Sequence, residues 1–119
     1  MDKNFEIRNL LKNLGIMPNY KGYSYITQGV EIVLEEFKQG KTFKQRIGTC
    51  DLYALIAELN NDTPTRVERA IRYAVDVAYR QGMNKMNELF PNMKWKPRNT
   101  TFILTLAEYV LFLRGGEGK

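Results

Sequence analysis

Apolar residues recur along this chain at three- and four-residue spacing, the period of an amphipathic helix, and no convincing strand alternation competes with it. The first run covers residues 5–14, with Ile7, Leu10, Leu11 and Leu14 on one face and Gly15 as the stop. Residues 17–25, rich in Pro, Asn, Gly and Tyr, read as a connection. A second helix is predicted over 25–38, carrying Ile26, Val30, Val33, Leu34 and Phe37 on one face and ending at Gly40. Residues 41–51 resist assignment, and Gly48 argues against a long helix there. A short apolar helix over 52–59 contains Leu55, Ile56 and Leu59, and Asn60-Asn61-Asp62 signals a turn. Thr63 then caps a new helix with Pro64 in its first position, where the missing N–H costs nothing. That helix should run to about Arg80, with Gly82 closing it. A further short helix over 83–90 stops at Pro91. After the basic connection Lys94-Trp95-Lys96-Pro97-Arg98, Asn99 or Thr100 caps a last helix that ends near Arg114.

These elements predict an all-α fold, a compact bundle of about five or six helices containing a helix-turn-helix. One domain spans residues 1–114, and residues 115–119 form a disordered tail. A chain of 119 residues buries about two-thirds of its unfolded surface, so it needs neither disulfide nor metal to fold. Cys50 stands alone, which excludes an intrachain bridge and fits a reduced, cytoplasmic setting; it reads as a small, half-buried hydrophobe. The complete lack of histidine removes Cys–His and Ser–His nucleophile pairs and the commonest zinc ligands. No phosphate-binding loop, dinucleotide fingerprint or nucleophile elbow is present. The expectation is therefore a non-enzyme without cofactor, metal or small-molecule substrate. The amino terminus lacks the unbroken apolar run of a secretory signal, and residues 102–113 are too short to span a bilayer and are interrupted by Glu108, so no membrane is expected. Eighteen Lys and Arg against thirteen Asp and Glu give a formal charge of +5, which favours nucleic acid or an acidic surface as partner.

The candidate chemistry lies on the helix that begins after Thr63. Val67, Ile71, Ala74 and Ala78 form one apolar stripe, while Arg66, Arg69, Tyr73 and Arg80 fall together on the other side with Glu68 and Arg72 beside them. Ala70, Ala74 and Ala78 are small enough to admit a close approach by the preceding helix. A helix-turn-helix sets the amino-terminal turns of its second helix against base edges in the major groove. There an arginine donates two hydrogen bonds to guanine, and a glutamate accepts one from the cytosine amino group. The pattern by itself supports equally a solvated face with ion pairs such as Glu68 with Arg72.

The run Thr63-Pro-Thr-Arg-Val-Glu-Arg-Ala-Ile-Arg-Tyr-Ala-Val-Asp-Val-Ala-Tyr79 closely resembles T-T-x-S-R-V-E-R-A-I-R-H-A-I-E-V-A-W, the recognition-helix signature of the stage-zero sporulation protein A family of response regulators. Lys21-Gly22-Tyr23-x-Tyr25 is similar to its K-G-Y-x-Y, Leu52-Tyr53-x-x-Ile56-Ala57 to its L-Y-P-x-I-A, and Lys96-Pro97-x-Asn99-x-x-Phe102-Ile103 to its K-P-T-N-x-x-F-I. The resemblance extends from about Glu6 to Val110. It implies a winged-helix-like or response-regulator effector domain that regulates transcription by binding double-stranded DNA at TGTCGAA-like boxes, with a homodimer on tandem sites as one arrangement. It assigns base contacts to Arg66, Glu68 and Arg69, and phosphate-facing positions to Arg72 and Tyr73, the latter replacing a histidine. Thr65, Lys21, Lys96 and Arg98 are further phosphate candidates by charge or hydroxyl and location, and fit an ordinary solvated side chain or cap equally well. The family's receiver domain has no room in this chain, and Met1 with its short lead into the first helix favours a stand-alone domain over a fragment. Residues 41–51 and the carboxyl-terminal end depart from the family.

Other residues carry blander expectations. Tyr20, Tyr23, Tyr25 and Tyr53 read as core and turn packing with hydroxyls reaching solvent rather than as a base-stacking platform. Trp95 is expected to anchor its connection to the bundle. Met83, Met86 and Met93 fill gaps or face a partner. Glu35-Glu36 and Asp62 read as isolated acids without a functional spacing. The alternative to DNA binding is a protein-interaction module of the same fold that modulates a partner regulator; RNA binding fits less well.

Overall fold

The computed structural model describes residues 4–40 and 49–115, and within them the chain is helical with no strand. The six helices are α1 (Phe5–Asn13), α2 (Lys21–Lys38), α3 (Thr49–Asn60), α4 (Pro64–Gln81), α5 (Met83–Leu89) and α6 (Asn99–Leu113). Residues 41–48, which the periodicity could not place, and the last four residues of the expected tail lie outside the described set. So does the side chain of Cys50.

Helix α1 ends as its sequence predicts. Gly15 adopts the left-handed φ of +82°, and the N–H of Ile16 reaches back to the Leu11 carbonyl at 3.0 Å. Glycine takes this conformation without a Cβ penalty, and the buried Ile16 seals the motif against the core.

Helix α2 begins at Lys21, four residues before the pattern predicts, so much of the expected connection is helix. Nothing local explains the early start: Tyr20 makes no side-chain cap, and Gly, Tyr and Ser are mediocre helix formers. Packing supplies it. A Cβ on Gly22 would lie 2.5 Å from the Ala70 carbonyl oxygen and 2.8 Å from the Ala74 Cβ, so the two backbones are in direct contact. The small residues of α4 thus admit a close neighbour, as expected, but that neighbour is α2.

Helix α3 buries Leu52, Tyr53, Ile56 and Ala57 and turns Leu55 and Leu59 outward. Its exit is a second tight motif: Asn61 takes φ 53°, and the N–H of Asp62 bonds the Ala57 carbonyl at 2.9 Å. Thr63 then caps α4, its hydroxyl accepting from the Arg66 N–H at 3.2 Å, with Pro64 leading the helix. Helix α4 is the hub, touching α2, α3, α5 and α6 through the predicted stripe of Val67, Ile71, Ala74 and Ala78, all fully buried. Helix α6 closes the other side of α2 with Phe102, Ile103, Leu106, Ala107 and Val110. Each large apolar side chain buried this completely contributes roughly 1.5–3 kcal/mol.

Candidate nucleic-acid interface

Burial of one stripe of α4 forces the remaining arc outward. Arg66, Arg69, Arg72, Tyr73 and Arg80 are exposed on it, and Glu68 stands half-buried at one edge. From Arg66 to Arg80 this face runs about 21 Å along the helix axis.

The turn that aims the helix is tied down from beneath. The Tyr25 hydroxyl donates to Asp62 Oδ2 at 2.5 Å, and Asp62 Oδ1 accepts from the Thr63 N–H at 2.8 Å. One residue earlier, Asn60 donates from Nδ2 to Gln28 Oε1 at 2.5 Å and to the Ile56 carbonyl at 2.7 Å. Two side chains of α2 therefore grip the α3–α4 turn. The Tyr25 bond, followed by the Thr63 N–H and the charges of Lys21 and Arg66, holds the Asp62 carboxyl below the usual range. Burial, followed by the bond to Asp62, pushes the Tyr25 hydroxyl up to about 12. The Asp62 side chain, only 7% exposed, is not the isolated acid its sequence position implies; Arg66 lies 3.8 Å from its other oxygen contact, Oδ1. No local spacing pairs Tyr25 with Asp62, because they meet only across the fold.

A second anchor holds the opposite flank. The expected cap of α6 is Asn99 or Thr100, but Arg98 occupies that position and the Asn99 side chain turns inward. Its Nδ2 donates to the Tyr53 hydroxyl at 3.0 Å and to the Glu68 carbonyl oxygen at 3.3 Å, and lies 3.5 Å from Glu68 Oε2. The hydroxyls of Tyr25 and Tyr53 thus bond inside the protein instead of reaching solvent. Glu68 Oε2 also lies 3.6 Å from Arg72, the i,i+4 pair that the sequence offered.

The predicted phosphate candidates separate into groups. Thr65 and Arg72 share the exposed face of α4. Tyr73, 52% exposed, meets the Tyr20 ring edge-on at 5.5 Å, beside Lys21 at the start of α2. Lys96 pairs with Asp76 on the outer face of α4. Arg98 and Lys96 line a shallow recess with Tyr53, Glu68, Arg72 and Asn99. Among the described residues Arg69 and Arg80 have no ion-pair partner, while Arg66, Arg72 and Lys96 each face one acid. Trp95 does not anchor its connection: it projects into solvent, 79% exposed. Of the methionines, Met86 is core, Met93 is partly buried against it and Met83 is about one-third exposed.

Comparison with known families matches residues 7–110 to the sporulation initiation factor Spo0A C terminal. The chain belongs to that family. The Spo0A C-terminal domain is the DNA-binding effector of a sporulation regulator, a regulatory domain and not an enzyme class. The match takes in α2, α3, α4 and α5 whole and all but the edges of α1 and α6, including the two anchors just described. In this Spo0A-type domain no helix among the described residues is long and apolar enough to cross a membrane, and no cluster of acids or cysteines there has the arrangement of a metal site.

Proposed function

We propose that the domain reads double-stranded DNA by sequence, entering the major groove with α4. The observation that carries this reading is the amino-terminal half of that helix. It is capped and clamped at its turn, yet presents Arg66 and Arg69 outward on a rigid support. Arg69 is the more direct base reader, since no acid competes for its guanidinium among the described residues. Arg66 reaches a base by leaving the loose Asp62 contact. Glu68 contributes its Oε1 oxygen to a cytosine amino group while Oε2 faces Arg72 and Asn99. Arg72, Thr65, Tyr73, Lys21, Lys96 and Arg98 meet phosphates along both flanks, supplying affinity without selection.

The test is titration of a labelled duplex carrying a TGTCGAA-type box, beside a scrambled duplex, at several salt concentrations. Specific binding is expected to exceed non-specific binding by at least about a thousandfold, with both weakening as salt rises. Arg69→Ala is expected to lose roughly 1–3 kcal/mol of discrimination at one base pair, the worth of one bidentate contact. Wild-type preference retained in that variant rejects the assignment. Equal, weak binding to every duplex in a random selection rejects sequence readout and leaves the protein-interaction module.

A further inference from the structure

Trp95 is the one tryptophan of the chain and the most exposed large apolar side chain among the described residues. Its surroundings are ordered by contacts on either side. Asn92 turns the chain with φ 65°, the Met93 N–H bonds the Phe90 carbonyl at 3.2 Å, and Met93 packs on the core. On the other side Lys96 pairs with Asp76, and Asn99 is fixed by Tyr53 and Glu68. Lys94 and Trp95 form the exposed crest between these anchors.

Position and charge identify what such a crest meets. Asp76 lies one turn beyond Arg72 and two beyond Arg69 on the outward arc of α4, so its bond to Lys96 holds the crest along the flank of that helix. No acid occurs in the sequence between Glu88 and Glu108, whereas Lys94, Lys96 and Arg98 do. An exposed indole in a run that carries Lys94, Lys96 and Arg98 complements a surface that alternates apolar and anionic groups, which is what a sugar–phosphate strand offers. Trp95 lies within the span matched to the family but immediately before the motif that begins at Lys96, and is not one of the residues quoted for the resemblance.

We propose that Lys94 and Trp95 make a second contact with the duplex, the indole packing on a deoxyribose of the strand that flanks the groove and Lys94 meeting the adjoining phosphate. This rests on the groove-reading assignment of α4. The contact adds affinity and no sequence preference.

The experiment follows one titration by two signals: anisotropy of a labelled duplex, and the emission of Trp95, which has no other tryptophan to mask it. Binding is expected to quench or blue-shift the indole emission. Trp95→Ala is expected to bind box and scrambled duplexes about tenfold more weakly, consistent with losing a partly buried aromatic contact. Its salt slope should stay at the wild-type value, because no charge is removed. Lys94→Ala should lower that slope by about one. Circular dichroism checks that both variants keep the fold, as their exposure leads one to expect. Duplex binding with a silent indole, or unchanged affinity in Trp95→Ala whatever the emission does, overturns the second contact alone. Absence of duplex binding in the wild type overturns the contact and the groove-reading assignment together.

Discussion

Replacing Gly22 by alanine sets two effects of opposite sign against each other. Alanine is the better helix former by up to about 1 kcal/mol, and Gly22 lies inside α2. Against this, the new methyl would sit 2.5 Å from the Ala70 carbonyl oxygen, where carbon–oxygen contacts normally begin near about 3.3 Å. The obstacle is backbone, so no rotamer relieves it, and α2 must lift from α4 by about 0.8 Å, the gap between those two distances. A separation of that size forfeits roughly a quarter to a half of each dispersion contact it opens. Overpacking of this kind costs about 1–3 kcal/mol, which leaves a net loss of up to about 2 kcal/mol after the propensity gain. For a domain of this length that lowers the melting temperature by up to about 8 °C. Gly29 is the internal control. There a methyl would meet side-chain methyl groups, Ile103 Cδ1 at 3.2 Å and Ile56 Cδ1 at 3.4 Å, which can move by a few tenths of an ångström. Gly29→Ala is therefore expected to be neutral or stabilising by up to about 1 kcal/mol. Thermal unfolding followed by circular dichroism decides. A rise in melting temperature for Gly22→Ala, or equal shifts for the two variants, refutes the tight α2–α4 contact.

Three further outcomes are expected. The Tyr25 hydroxyl is raised to about 12, so its stabilisation is complete below its unfolded value near 10 and is lost as pH climbs through that window. The depressed Asp62 carboxyl gives the mirror case, stabilisation present above the ordinary aspartate range and lost as pH falls through its lower folded value. Melting temperature against pH should show both flanks in the wild type, whereas Tyr25→Phe should lose the alkaline flank and keep a reduced acid flank from the Thr63 N–H, Lys21 and Arg66; an unchanged profile in that variant disproves the link. Asp76→Asn removes a negative charge from the outward arc of α4 and frees Lys96, so under the proposed function box and scrambled duplexes should both bind more tightly, with a steeper salt dependence. Weaker binding would mean that the Asp76 pair positions Lys96 productively. Asn99→Ala removes the two hydrogen bonds that tie the start of α6 to the Tyr53 hydroxyl and the Glu68 carbonyl, and at about 0.5–1.5 kcal/mol for each it should cost about 1–3 kcal/mol in chemical denaturation; a loss no larger than for an exposed Asn would refute the anchoring role.

Helix α4 is the most legible part of the chain because its signals are local. Thr63 and Pro64 define its start, the stripe from Val67 to Ala78 its buried side, and the arginines its outer side, and all three stand as the pattern implies. The family signature falls on the same residues, so resemblance and periodicity reinforce each other there. Elsewhere the signals were long-range. Residues 21–24 read as a connection because their helix is stabilised by backbone contact with Ala70, nearly fifty positions away. Asp62 read as isolated, and Asn99 as a cap, because their partners Tyr25 and Tyr53 come from other helices. Trp95 read as an anchor because large aromatic rings are usually covered, a preference that says nothing about where a connection held at both sides will point its crest.

The sequence by itself determined the helical class, the cap and faces of α4, and the family, since each follows from residues within a turn or two of one another or from their order. Only the tertiary structure decided which neighbour lies on Ala70 and Ala74, which polar groups clamp the turn before α4, and that Trp95 is exposed beside a lysine bound to Asp76 of α4. Those features depend on how helices far apart in the chain approach each other, and it is the packing of their surfaces that sets that geometry.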